Sequence, residues 1–140
     1  MRTLIWVAMV ALLASALLAA QATAAAPQAC GALSQAGMRD CLLQKHASSA
    51  AYLKQAEEKM LQAIAQWDED RPATKLAQQR LLASQAAFEK FGQAQCAYAA
   101  SLGGKAAGNA LEVRRLTCMI DMNSARAAQL LEQGAALPRK

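Results

Sequence analysis

Cys30, Cys41, Cys96 and Cys118 constrain this chain more than any other feature in it. Their role depends on the redox compartment, and the N-terminus bears on that. Arg2 gives a positive start, and Leu4 to Ala20 form an uncharged apolar run. Ala22-Thr23-Ala24 then places small residues at the positions that signal peptidase inspects. Residues 1–24 therefore read as a cleavable signal peptide cut after Ala24. An uncleaved anchor is disfavoured because no charged stop-transfer flank follows. A lipoprotein is disfavoured because Cys30 sits well past the apolar run. In an exported small domain an even cysteine count implies disulfides. Zinc would need close pairs, whereas ten residues separate Cys30 from Cys41 and twenty-one separate Cys96 from Cys118.

Cleavage leaves residues 25–140, a single domain of about 116 residues. A core of that size gains from covalent staples. Alanine, glutamine and leucine dominate, β-branched residues are few, and such a composition favours helix. Losing Arg2 takes the net charge from +5 to +4. That excess is mild. With no dense Lys/Arg stripe and few aromatics, the chain is not expected to bind nucleic acid. Attraction to anionic lipid or cell-wall polymer remains open.

The periodicity predicts three helices, at about 34–67, 72–100 and 109–133. Ser34 reads as the first N-cap. Met38, Leu42, Ser49, Tyr52, Leu53, Ala56, Met60, Ile64 and Trp67 mark the inner face, with Gln44, Gln55, Glu58 and Gln62 opposite. Asp68-Glu69-Asp70-Arg71-Pro72 breaks the pattern, with acids at the second helix's positive N-terminus and Pro72 in its first turn. Ala77, Leu81, Ser84, Phe88, Phe91 and Tyr98 mark the second stripe, which ends at Gly103-Gly104. Asn109 reads as the third cap. Val113, Leu116, Ile120, Ala127 and Leu130 follow, with Leu111, Met122 and Ala125 widening the apolar surface. Gly134 and Pro138 end it. No segment alternates with period two. The expected fold is all-α: an elongated antiparallel three-helix bundle, about 40–50 Å long.

Of three possible connectivities, geometry favours one. Cys96 and Cys118 flank the Gly103-Gly104 turn at similar distances and should face each other. Eleven residues of helix rise about 16 Å, too far for a disulfide within one helix. Cys30 precedes the Ser34 cap, however, so its segment can fold back to Cys41. The pairs expected are Cys30–Cys41 and Cys96–Cys118.

Catalytic constellations are missing. His46 is the only histidine, and it flanks an apolar stripe with no nucleophile set around it, so it reads as a boundary residue. Glu57 and Glu58 are adjacent and point about 100° apart on a helix, unlike an acid/base pair. Asp68-Glu69-Asp70 has no EF-hand spacing, and Gly103-Gly104-Lys105 is no P-loop. The expectation is a protein that is not an enzyme and has no cofactor or metal. Surface candidates remain. Lys105, Arg114 and Arg115 would make one end of the rod basic, and Asp68, Glu69 and Asp70 would make the other acidic. Phe88 and Phe91 read as core. Trp67, at a helix end, is left undecided between packing and exposure.

The order Cys30, Met38, Cys41, then Gln85-Ala86-Ala87-Phe88-Glu89-Lys90-Phe91, Ala94-Gln95-Cys96, Gly103-Gly104, Cys118 and Ser124-Ala125-Arg126 resembles the lysozyme-inhibitor LprI-like domain family. The resemblance runs from Cys30 to about Leu130. Members often carry tryptophan where Phe88 stands and arginine where Gly92 stands. The family implies a bacterial, periplasmic or secreted helical domain held by disulfides, and lysozyme as a partner. Animal-type lysozymes are strongly basic, so a tight partner should offer an acidic face. Asp68-Glu69-Asp70 and Glu57/Glu58 are the local candidates. The expected function is that of an exported non-enzymatic binding protein, with lysozyme inhibition as the activity the resemblance implies. The alternative is an envelope module that binds cell-wall polymer, anionic lipid or another exported protein through the basic end.

Overall fold

The computed structural model describes residues 30–105 and 108–140. The apolar N-terminal run and its cleavage site lie outside them. The described residues form three helices: α1 (Gln35–Ala65), α2 (Arg71–Ser101) and α3 (Asn109–Ala136). The first two have 31 residues each, about 46 Å of helix. The bundle is elongated, as the periodicity implied.

Local chemistry sets the helix ends. The Ser34 side chain accepts from the Gly37 N–H, capping α1. The Asp70 carboxylate accepts from the Ala73 N–H at 2.8 Å, with Pro72 in the first turn of α2. The third cap differs from expectation. Gly108, not Asn109, is the N-cap of α3, and no side chain caps it. The chain enters α3 with Gly108 at φ 72° after Gly104 at φ 63°, left-handed conformations that glycine adopts without steric cost.

α1 and α3 run parallel, and α2 runs back between their ends. α3 packs most extensively on α1 and less on α2, while α1 and α2 barely touch. The α1–α3 seam repeats every seven residues. Leu42, Ser49, Ala56 and Ala63 are buried on α1; Leu116, Asn123 and Leu130, with Ile120, Ala127 and Gly134, are buried on α3. Such a repeat keeps a straight seam between two helices. One layer is polar: Asn123 Nδ2 donates to Ser49 Oγ at 3.2 Å, and Ser49 Oγ donates to the His46 carbonyl. A buried polar pair fixes which layers meet.

Gly134 was expected to end α3 but lies inside it, buried against α1. A Cβ there would approach Met60 Sδ to 3.3 Å and Ala63 Cβ to 3.4 Å. Its lack of a side chain lets the two backbones close on each other, and that outweighs its poor helix propensity. At the other end of the chain α1 stops at Ala65, short of Trp67. Trp67 is half-buried and pairs with Arg139 in an isolated antiparallel bridge. The Asp68 N–H donates to the Pro138 carbonyl and the Lys140 N–H to the Gln66 carbonyl. The C-terminal residues thus tie down the α1–α2 turn.

Both disulfides form as the geometry suggested, Cys30–Cys41 and Cys96–Cys118, and no described cysteine is free. They cluster at the end of the rod opposite the Trp67 bridge. Cys30 and Cys96 are fully buried, with Leu42, Leu116 and Ile120 packed around Cys30.

The inner faces hold only in part. Phe91 and Tyr98 are 58% and 59% exposed rather than core, and Phe88 is half-buried. Tyr52 is also exposed, as are Ser84 and Ala125. The buried line of α2 is Leu81, Gly92 and Cys96. Cys96 must face α3 to reach Cys118. Tyr98 then lies about 200° further round the helix and Phe91 about 140° away, so the disulfide turns both outward. Gly92 sits in that buried line with open space beyond it. An added Cβ would make ordinary contact with Met122 Cε at 3.7 Å. Gly92→Ala is therefore expected to stabilise the domain by about 0.5–1 kcal/mol, read as a higher urea midpoint at unchanged slope.

Candidate interaction groove

Because α1 and α2 barely touch, an open groove of about 420 Å³ runs between them with α3 as its floor. Leu53 and Glu57 come from α1. Leu82, Gln85, Phe88 and Glu89 come from α2. Met119, Met122 and Asn123 form the floor. Each wall follows from helical spacing. Leu53 and Glu57 are four residues apart, as are Gln85 and Glu89, so each pair lies on one face. Met122 Sδ lies 3.6 Å from Cys96 Sγ, so the Cys96–Cys118 staple backs the floor.

Arg126 on α3 stands at the groove's side and ties α3 to α2. Its Nη2 donates to Ser84 Oγ at 2.7 Å and its Nη1 to Gln129 Oε1 at 2.8 Å. Its guanidinium carbon lies 5.8 Å from the centre of the Phe88 ring, within cation–π range. The Nε of Arg126 is buried without a hydrogen-bond partner. Phe88 and Arg126, 38 residues apart in sequence, are thus brought together, and Phe88 shares the groove with Gln85. Sequence reasoning marked Gln85 and Arg126 only as family features and Phe88 as a family feature and core residue, because nothing in a linear pattern says that α2 and α3 present them side by side.

Glu57 carries the groove's main electrostatic feature. Burial raises its carboxyl above the usual glutamate range; the charge of Glu89 adds to this and that of Arg126 opposes it. The ionised form is therefore penalised in the fold. A carboxyl with a raised folded-state pKa loses stability as pH rises from the unfolded value, about 4.3, through the folded one. Glu57→Gln is expected to be more stable than the parent at pH 7, with the difference vanishing near pH 3. Paired denaturation curves across that range would show it, and equal midpoints at pH 7 would contradict it.

The other expected site residues fall at the two ends. Lys105 and Arg114 are exposed beside the Gly103-Gly104 turn. Arg115 is not free: its guanidinium donates twice to the Glu112 carboxylate, at 2.7 and 2.8 Å. That pair holds the Glu112 carboxyl below its usual range. At the far end Asp68, Glu69 and Asp70 are all exposed, but Asp70 is engaged as the α2 cap. The paired C-terminal segment also brings Arg139 and Lys140 to this turn, so its charge is mixed. His46 is half-buried on α1 beside the polar layer. Among the described residues no group of three or more His, Cys, Asp or Glu could hold a metal ion.

No curated protein and no solved structure matches the chain. One family does, described as Lysozyme inhibitor LprI, over residues 14–130. The match spans all of α1 and α2, both disulfides and α3 as far as Leu130, and so includes every wall of the groove. With its oxidised cysteines and its three-helix frame, the chain belongs to the LprI family, and with it to exported proteins that act without catalysis.

Proposed function

We propose that the mature protein, released by cleavage after Ala24, binds lysozyme and blocks it. The observation that carries this reading is the family match over residues 14–130. The groove supports it chemically. Glu57 and Glu89 stand on opposite walls above the methionines Met119 and Met122 of the floor. Such a site suits a basic side chain with an aliphatic stem, of the kind a basic lysozyme presents. The acidic turn Asp68-Glu69-Asp70 is the weaker candidate face, since Arg139 and Lys140 share its end of the rod.

The test is clearance of cell-wall suspensions by several lysozyme types, with and without the oxidised mature protein. Dose-dependent slowing is expected. Glu57→Gln with Glu89→Gln should weaken it by about tenfold or more at low salt, and the difference should narrow as salt is raised. No slowing of any lysozyme at micromolar excess would end the inhibitor reading. Slowing that the double variant leaves unchanged would move the contact away from the groove.

A second reading rests on the exposed Lys105 and Arg114, which would hold cell-wall polymer or anionic lipid at the turn end. Sedimentation with cell walls or anionic vesicles tests it. Lys105→Ala with Arg114→Ala should abolish co-sedimentation if that end is the contact.

A further inference from the structure

The outer face of α2 carries an apolar strip that neither α1 nor α3 covers. Leu76, Phe91, Tyr98 and Leu102 are each more than half exposed. Ala83, Ala87 and Ala94, also exposed, fill the positions between them. At about 100° per residue these seven and Arg80 fall within one arc of roughly 100°. They lie on the side away from the buried Leu81, Gly92 and Cys96. Single exposed apolar residues are ordinary, but a continuous strip along a whole helix is an interaction surface.

We propose that this strip pairs with the same strip of a second copy, antiparallel about a two-fold axis at Ala87. The argument is self-complementarity. In that register Phe91 of one copy comes opposite Ala83 of the other, Tyr98 opposite Leu76, Leu102 opposite Pro72, and Arg80 opposite Ala94. Phe91 and Leu102 each meet a small or ring-compact residue, Tyr98 and Leu76 pack on each other, and the sole cation of the strip meets an alanine. Ala87 meets its own copy at the axis, where a small side chain lets two helices approach closely. A parallel pairing would instead set Arg80 against Arg80 and Phe91 against Phe91. A two-fold contact is also closed, so it ends at the dimer.

The size of the strip sets the strength. From Leu76 to Leu102 it is roughly 40 Å long and about 10 Å wide, so a pair covers on the order of 800 Å² in total. That is below the standard interface and within the transient class. The dimer is accordingly weak and reversible. The groove faces elsewhere on α2, through Gln85, Phe88 and Glu89, so this pairing stands apart from the inhibitor reading.

Sedimentation velocity of the oxidised mature protein, from about 1 to about 500 µM so as to reach weak, transient association, tests the proposal. The parent should pass from monomer to dimer. Ala87→Glu and Ala87→Lys should each stay monomeric through like-charge repulsion at the axis, with unchanged circular dichroism because the site is exposed. An equimolar mixture of the two should recover the dimer. A parent that is monomeric throughout overturns the proposal. So does a dimer that Ala87→Glu leaves intact, or a mixture that stays monomeric.

Discussion

Replacing Cys96 and Cys118 together by alanine is expected to lower stability by about 3 kcal/mol, a fall in Tm on the order of 15 °C for a domain of this size. The bond closes a span of 22 residues across the Gly103-Gly104 turn. Opening it frees the unfolded chain and so favours unfolding. It also removes the constraint that sets the rotation of α2. Cys96 is fully buried, and Met122 rests against it on the groove floor. The variant should therefore lose groove-dependent binding before it loses helix content. Cys30–Cys41 closes a span of only 11 residues, so removing it costs less, by about 0.6 kcal/mol of chain entropy. Denaturant titration of both double variants against the parent checks the order. Equal midpoints for the parent and the Cys96/Cys118 variant would refute it.

Leu130→Ala should cost about as much, roughly 3 kcal/mol within the usual range for a buried leucine. Leu130 is 1% exposed and packs with Ile64 of α1 and Leu81 of α2, so all three helices meet on it. Its surroundings cannot collapse freely, because Ala56 and Ala127 already bring α1 and α3 close. No disulfide reaches this end of the rod. An apolar cluster and the Trp67–Arg139 bridge close it. Leu102→Ala, at an exposed position, should change stability by less than about 0.5 kcal/mol. If the two substitutions proved equivalent, the three-helix junction would not be the core that the packing indicates.

The architecture was largely legible in the residues. Helical spacing marked three helices, the Ser34 cap and the Asp70–Pro72 start are local signals, and the turn between Cys96 and Cys118 named its own disulfide. These features act over a few residues, so a linear reading reaches them. The faces of α2 were read wrongly. Phe91 and Tyr98 looked like core because they are large and apolar at helical spacing, yet spacing alone permits more than one rotation of a helix. Gly134 looked like a stop for the same reason: a glycine's propensity is visible in sequence, whereas the neighbour that needs its missing side chain is not.

The candidate groove lay further from view. Glu57 was noted beside Glu58 as a surface residue, and Phe88 and Arg126 were noted as family features. Nothing in the sequence joined them, because they come from three helices and meet only when α1 and α2 stand apart over α3.

By itself, then, the sequence determined that the chain is built for export, that it is helical and that its cysteines pair in one order. Those properties follow from composition, local spacing and the reach of a disulfide. The tertiary structure alone decided which side of α2 is buried. The Cys96–Cys118 bond turns one face of that helix inward, and the turn leaves Phe91 and Tyr98 in solvent. The same rotation creates both surfaces available for recognition, the carboxylate-lined groove inside and the apolar strip outside.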